Sequence, residues 1–450
     1  MTNLRIAVEG RLSDLSDAER GILLDRSPSE ASSLVAAVAE ILADVRDRGD
    51  RALLDMAARF DGVTMESVEV PMARCVEALD ALAPEVRTAL ERAATNIRAF
   101  HEAQRPDPVR LEVEPGVVLE RRWSPLEAVG VYAPGGRASY PSSVLMGVIP
   151  ARVAGVRDVV VCSPPADDGL PPRAVLAAAA LGGATRVFAL GGAGAVAAMA
   201  FGTDSVPSVA AIVGPGNQWV TEAKRQVAGD VQIDSPAGPS EVLVVATEGA
   251  DPERIALELI AQAEHDPEAA VALVTPSEGL VNAVRRSLET LVHQAPRRDV
   301  VLPALATRGG LVVTDSLDEA LAFASAYGAE HLAIYTDDPW EDARRVATAG
   351  TVFLGEASAV AFGDYLTGAN HVLPTAGLSA SYSGLSTMNF VRSYTVQALT
   401  PEAAGAMAGD VATLAVEEGL PGHAAAALAR LAEASRVPGV TRGEEEGDNS

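Results

Sequence analysis

Lysine is nearly missing from this chain of 450 residues: Lys224 is the only one, and arginine supplies the other positive charges. A Schiff-base mechanism would have to run through that single amine; compositional bias of the host explains the scarcity without any chemistry. The two cysteines, Cys75 and Cys162, are too few for a disulfide framework. Cys162 closes the run Val159-Val160-Val161-Cys162, which reads as a buried strand end. Lysine and arginine number 35 against 61 carboxylates, a net charge of −26. No basic stripe interrupts that excess, so no face can neutralise a phosphate backbone and nucleic acid is excluded as a partner. No run reaches the roughly 18 apolar residues of a membrane span. Met1-Thr2-Asn3-Leu4-Arg5 lacks the charged-then-apolar pattern of a signal peptide. A cytoplasmic protein with no membrane partner is expected. The acidic stretch Arg442–Ser450 has no apolar side chain, and residues 437–450 read as a disordered tail.

Apolar residues are plentiful, at 48%, enough for a sizeable core, and length allows about three domains at roughly 150 residues each. Ser16 followed by Glu19 is a capping box that opens a helix. Val35, Val38, Ile41, Leu42 and Val45 recur at helical spacing, as do residues from Leu79 to Phe100. From about Glu127 short apolar runs alternate with helical patterns. Strands are expected at Ala128–Tyr132, Asp158–Cys162, Arg186–Leu190 and Val209–Val213, with a helix such as Arg173–Leu181 between them. A second series follows at Glu241–Ala246, Ala270–Val274, His331–Tyr335 and Thr351–Leu354. Asp251-Pro252 and Asp337-Asp338-Pro339 each open a helix, and Ser316 with Glu319 forms another capping box. The alternation predicts parallel sheets covered by helices on both faces, in two units that duplication could relate although no residue-level repeat is visible. After about Ser383 no further strand is expected. Ala408–Ala434 is Ala-rich and helical in pattern, broken near Gly419-Leu420-Pro421-Gly422.

Histidine is scarce too, at six residues, yet four of them stand beside carboxylates or amides near the C-terminal ends of apolar elements. Imidazole suits both proton transfer near neutrality and zinc binding. Gln262 and His265 lie three apart, so both point from one edge of a helix that Pro267 brings to an end. Such a pair can supply half a metal site, or it is an ordinary polar helix end. Asp364 follows Phe362-Gly363, where a missing side chain permits a tight turn. His423 stands alone in a bland helix, and by itself it reads as a solvated helix start rather than a ligand. Glu330-His331 enters the strand Leu332–Tyr335; an acid beside an imidazole suits base catalysis and water activation, or forms an incidental ion pair. Gly191-Gly192-Ala193-Gly194-Ala195-Val196-Ala197 contains G-x-G-x-x-A between a strand and a helix, the minimal dinucleotide turn. No acidic residue about 20 positions on completes the fingerprint. Gly214-Pro215-Gly216-Asn217 and Pro134-Gly135-Gly136 are two more turns after strands. Three such turns would share one sheet edge, where α/β folds bind ligands.

With those residues in view, the chain resembles the histidinol dehydrogenases over about Ser16–Leu431. The resemblance rests on Val131-Tyr132-Ala133-Pro134-Gly135-Gly136, Gly214–Asn217 running to Thr221-Glu222-Ala223-Lys224, and Asp234-Ser235-Pro236-Ala237-Gly238-Pro239-Ser240-Glu241. It rests also on Gln262–His265, Glu330-His331-Leu332, and Gly363-Asp364-Tyr365 through Asn370-His371-Val372-Leu373-Pro374-Thr375. It implies a zinc-dependent homodimer of two incomplete Rossmann-like parallel-sheet domains with small N-terminal and C-terminal helical extensions. The expected division is an extension over 1–24, a first α/β domain over 25–130 and 240–384, a second, dinucleotide-binding domain over 131–239, and a helical extension over 385–436. It implies Gln262, His265, Asp364 and His423 as zinc ligands, His423 coming from the partner subunit. It implies His331 as general base, Glu330 as the group that activates water, Ser142, Ser240, His371 and Glu418 as substrate contacts, and Tyr132 and Asn217 as cofactor contacts.

One position departs. The family commonly has Gly-Gly-Ala-Gln where Gly194 stands here, so a hydrogen bond to the dinucleotide, worth on the order of 1 kcal/mol, is expected to be absent. The implied reaction is the four-electron oxidation of L-histidinol to L-histidine with two NAD, zinc acting as a template for the substrate. A paralogous zinc- and NAD-dependent dehydrogenase of another small alcohol, such as a sulfonated diol, is the alternative, although Glu418 suits imidazole recognition. A silent metal- or nucleotide-binding protein is a third reading, which the Glu330-His331 pair opposes.

Overall fold

The computed structural model of the chain describes residues 4–26, 32–135 and 139–431. Gly136 and the acidic segment 437–450 lie outside them. The strands are β1 (Val8–Arg11), β2 (Glu69–Val70), β3 (Val109–Glu114), β4 (Val117–Pro125), β5 (Ala128–Tyr132), β6 (Asp158–Ser163), β7 (Arg186–Ala189), β8 (Ala211–Val213), β9 (Gln232–Ile233), β10 (Glu241–Ala246), β11 (Ala270–Thr275), β12 (Gly309–Val313), β13 (His331–Tyr335), β14 (Thr351–Leu354) and β15 (Val391–Leu399). Two compact units contain them, Met1–Arg105 with Pro125–Phe390 and Pro106–Ser124 with Val391–Ser450.

The first unit holds two six-stranded sheets, β1-β12-β11-β10-β13-β14 and β2-β7-β6-β5-β8-β9. In each, the chain starts at a central strand, steps outward twice, then crosses to the other side for two more. Both therefore carry the 3-2-1-4-5 part of the doubly wound order, with one added edge strand beside the third. The added strand is parallel in one sheet, β1 on β12, and antiparallel in the other, β2 on β7. This shared order is the relation that the sequence halves left invisible. Every residue of β10 and β11 is buried, as expected for strands covered on both faces. Val242 and Val244 pack into one hydrophobic layer and Leu243 and Val245 into the opposite one.

The pairing divides the chain differently from the expected boundaries. Residues 8–11, expected in a separate extension, form an edge strand of the 241–354 sheet. Residues 32–70, expected with that same sheet, instead pack Val38, Leu42, Val45, Leu53 and Val68 against Val160, Cys162 and Phe188 of the other one. Ala128–Tyr132 is a central strand of that other sheet, between β6 and β8. Helical periodicity showed that the N-terminal helices had an apolar face but not which sheet would cover it.

The second unit is not purely helical. A β3–β4 hairpin pairs with β15 in a three-stranded sheet, followed by helices Pro401–Glu417 and Pro421–Leu428. Strands β3 and β15 are largely exposed and too polar to read as buried runs. Locally, the Ser16–Glu19 capping box forms with both reciprocal hydrogen bonds. At Ser316 only half forms, because Glu319 turns its carboxylate to Asp315 N. Among the described residues, no helix is long and apolar enough to cross a membrane.

Candidate active site

The strands of the two sheets present opposite ends to one cavity of about 1500 Å³. The β5–β8 sheet contributes the turns after its strands: Tyr132, Gly191–Gly194 and Pro215–Asn217. The β10–β13 sheet contributes the residues that enter its strands, Ser240 before β10 and Glu330-His331 at the start of β13. His331 opens its strand, as expected from the reading of Glu330-His331 at the entry to Leu332–Tyr335. Ser142, Gln262, His265, Asp364 and His371 line the same cavity. Glu418 caps the end of helix Pro401–Glu417 and His423 lies in Pro421–Leu428, both exposed and both in the second unit.

Glu330 and His331 are buried, at 6% and 3% exposure, and Glu241 holds them both. The Glu241 N–H donates to Glu330 Oε2 at 2.7 Å, and His331 Nδ1 donates to the Glu241 carbonyl at 2.9 Å. That bond selects the tautomer that leaves Nε2 as the basic nitrogen. Nε2 is buried and has no hydrogen-bond partner; its nearest charge is Asp364 Oδ1 at 3.5 Å. Burial disfavours an imidazolium here, but the Glu330 carboxylate, and then Asp364, overcome it and hold the His331 pKa well above its ordinary value.

Asp364 sits in the short helix Val360–Tyr365. Buried Glu258 accepts Val360 N at that helix's start and the Tyr335 hydroxyl, each at 3.1 Å. Gly363 serves close packing, not the expected tight turn: a Cβ there would lie 2.6 Å from the Phe353 ring. Burial raises the Asp364 carboxyl, but His331 first, then His371 and His265, bring its pKa below the usual value. His371 donates through Nδ1 to the Asp364 carbonyl at 2.9 Å and accepts at Nε2 from Ser143 at 3.2 Å. Burial lowers its pKa, so it stays neutral. Gln262 is in the last turn of helix Pro252–Ala263, and His265 lies just past it, its N–H on Gln262 O at 3.2 Å. Among the described residues no three His, Cys, Asp or Glu side chains cluster to hold a metal. Among the described residues, three of the four expected ligands, Gln262, His265 and Asp364, line this cavity.

At the other end, Tyr132 is buried and its hydroxyl accepts Gly192 N at 3.1 Å, shaping the glycine turn; burial pushes its pKa up to about 12. Asn217 caps helix Gln218–Val227, accepting Trp219 N at 3.0 Å and Val220 N at 3.2 Å. Gly214 has φ +116°, and a Cβ there would fall 2.1 Å from Tyr132 O, so only glycine fits. Lys224 is no Schiff-base amine: it is buried, ion-paired with Asp234 and bonded to Gly214 O at 3.1 Å.

The histidinol dehydrogenase family model matches residues 24–431. The chain belongs to the histidinol dehydrogenase family. Histidinol dehydrogenase of Methanothermobacter thermautotrophicus is 48% identical over 409 residues, 91% of this chain and 96% of that protein. That of Halobacterium salinarum is 48% identical over 421 residues, 93% and 98% of the two chains. The crystal structure of histidinol dehydrogenase from Elizabethkingia anophelis superimposes with a TM-score of 0.91 at 33% identity, over 97% of this chain and 100% of that one.

Within the histidinol dehydrogenase frame, Gly194 has a local explanation. It is buried in helix Gly192–Phe201, and an added Cβ would meet Met56 Sδ at 3.0 Å and Leu53 Cδ2 at 3.6 Å. The thioether occupies the space that a longer side chain would need. Sequence reasoning missed Ser143, Glu241 and Glu258. A carboxylate heading the otherwise apolar run Glu241–Ala246 was the one available signal, since a buried charge demands a partner.

Proposed function

We propose that this chain oxidises L-histidinol to L-histidine in two successive NAD-dependent steps within the cavity between the two sheets. The observation that carries the proposal is His331 Nε2, a buried imidazole nitrogen with no hydrogen-bond partner beside Glu330, in a cavity that also reaches the glycine turns. Family membership supports an NAD-dependent oxidoreductase of histidine biosynthesis, and relatives named histidinol dehydrogenase do not favour the sulfonated-diol alternative.

His331 accepts the hydroxyl proton at Nε2 as hydride leaves the alcohol carbon, while its Nδ1–H stays on the Glu241 carbonyl. Glu330 has one oxygen committed to Glu241 N; the other accepts the proton of the water that adds to the aldehyde and passes it to the former carbonyl oxygen, and His331, having released the alcohol proton to solvent, then takes the hydrate proton as the second hydride leaves. NAD supplies the hydride acceptor, and the backbone at Gly191–Gly194 allows close approach of its pyrophosphate. Gln262, His265 and Asp364 would hold zinc, with His423 from a second copy. Amide and carboxylate oxygens with imidazole nitrogens are a donor set that zinc accepts, and His331, with Nε2 at 3.5 Å from Asp364 Oδ1, favours the Asp364 anion. When bound, zinc supplies a template for the substrate nitrogens. Ser142, Ser240, His371 and Glu418 are the proposed substrate contacts, and Tyr132 and Asn217 line the cofactor end.

A second copy has a surface to meet. Leu414 and Val416 at the end of one helix of the second unit are 66% and 64% exposed, and Leu420 and Leu428, at the start and end of the His423 segment, are exposed as well, so apolar side chains are available there to a partner. The test is NADH formation on histidinol by absorbance, two NADH per histidine. Chelation should abolish turnover and zinc restore it; turnover persisting after complete metal removal would sink the zinc assignment.

A further inference from the structure

The segment Asp234-Ser235-Pro236-Ala237-Gly238-Pro239-Ser240-Glu241 links the two sheets, running from the end of β9 into β10. It also forms a cavity wall through Pro236, Gly238, Pro239 and Ser240. Each of its ends is a buried carboxylate paired with a buried cation, Asp234 with Lys224 and Glu241 with Arg26. Among the described residues these are the two lysine or arginine ion pairs with both side chains buried.

Each carboxylate also grips a functional loop. Asp234 Oδ2 accepts Gly214 N at 2.8 Å while Lys224 donates to Gly214 O, so both polar groups of the cofactor-side turn are held. Glu241 Oε1 accepts Ala376 N at 2.8 Å. Ala376, with φ 56°, is the one non-glycine residue of positive φ among the described residues, a conformation that persists only where surroundings enforce it. The Glu241 backbone holds Glu330 and His331. Arg26 is itself fully committed, to Glu241, Leu23 O, Leu24 O and Tyr327 O, with its guanidinium 3.5 Å over the Tyr327 ring. Between the ends, two prolines limit backbone freedom, Thr221 bonds Ala237 O at 2.7 Å and Gly238 N bonds Thr375 at 2.6 Å.

We infer that Asp234–Glu241 is a rigid brace that sets the spacing between the cofactor turn and the catalytic pair, with Lys224, Asp234, Arg26 and Glu241 as positioning residues. The inference rests on the reading of the cavity as the joint site of NAD and histidinol. Hydride transfer needs near-contact geometry, and a misplacement of about 1 Å can cost on the order of 100-fold. Lys224 and Asp234 hold the Gly214 turn at the cofactor end, so their loss acts first on KM for NAD, whereas Glu241 holds Glu330, His331 and Ala376, so its loss acts first on kcat.

The test compares the full-length wild type with K224M and E241Q. K224M should raise KM for NAD at least about tenfold with KM for histidinol little changed. E241Q should lower kcat at least about tenfold with KM for NAD little changed. Hydrogen exchange should show the Gly214 amide released only in K224M and the Ala376 amide only in E241Q. Should K224M fail to fold, D234N, which keeps its size, gives the same readout. Constants within about twofold of wild type alongside a lowered Tm, or equal losses in both constants from both variants, would mean a purely structural role and overturn the brace. If the wild type makes no NADH from histidinol, the functional reading falls. The exchange data then decide the brace alone: it stands if each variant frees only its own end and is overturned otherwise.

Discussion

His331 is held by two opposing demands. Its Nδ1 proton is fixed on a carbonyl, and its Nε2 faces the cavity beside carboxylates that favour the imidazolium. A base with a raised pKa loses its proton only at higher pH, so kcat/KM should climb through and beyond neutrality. Glu330→Gln removes the leading carboxylate that stabilises the cation. The His331 pKa should then fall and the rising limb of the pH profile should move to lower pH, while oxidation of supplied aldehyde slows more than oxidation of alcohol. A limb that stayed in place, or that moved upward, would contradict this electrostatic account. The Glu330-His331 pair was legible in the sequence because its members are adjacent and chemically marked. The contacts of Ser143 and Glu241 were not: they meet His371 and His331 across 228 and 90 residues, and a carboxylate heading an apolar run signals only that Glu241 needs some partner, not which.

At the scale of elements, the turn after β8 shows how backbone geometry limits substitution. Gly214→Ala would place a non-glycine residue at φ +116° and drive its Cβ to 2.1 Å from Tyr132 O. The left-handed backbone alone costs about 1–2 kcal/mol, and the clash forces the turn and strand β5 apart. Lowered Tm together with weakened NAD binding, measured by calorimetry and NADH fluorescence, is the expected result; full NAD affinity would show that the turn does not shape the cofactor end. Long apolar strands such as β6, β10 and β13 were readable because burial on both faces leaves continuous Val and Leu runs. Strand β12 begins Gly309-Gly310, and β1, β2 and β9 are short, so pattern alone passed over them. The halved capping box at Ser316 depended on where one carboxylate turned, which spacing does not encode.

For the whole molecule, the decisive question is whether one site draws on two chains. Asp364 and His423 lie in different units of the chain. If the partner supplies His423, D364N and H423A enzymes should each be inactive, yet mixing them should restore activity. Random exchange makes half of the dimers mixed, and in each of these one site carries both changes and the other carries neither. About a quarter of all sites would then be intact in a symmetric dimer. Subunit mixing followed by an NADH assay reads this directly, and no recovery despite confirmed exchange would place His423 in its own chain's site or in none.

Composition and periodicity by themselves determined the class: many buried apolar runs alternating with helices can hide their backbone only as parallel sheets between helical layers. Motif chemistry likewise marked which side chains were candidates, since imidazole beside acids suits proton transfer and metal binding. Only the tertiary structure decided which sheet the N-terminal helices cover, that Glu241 holds both Glu330 and His331, and that two buried ion pairs brace the segment between the two sheets. Those facts depend on contacts between residues far apart in the chain, and an apolar face or a lone carboxylate carries no local mark of the partner that will satisfy it.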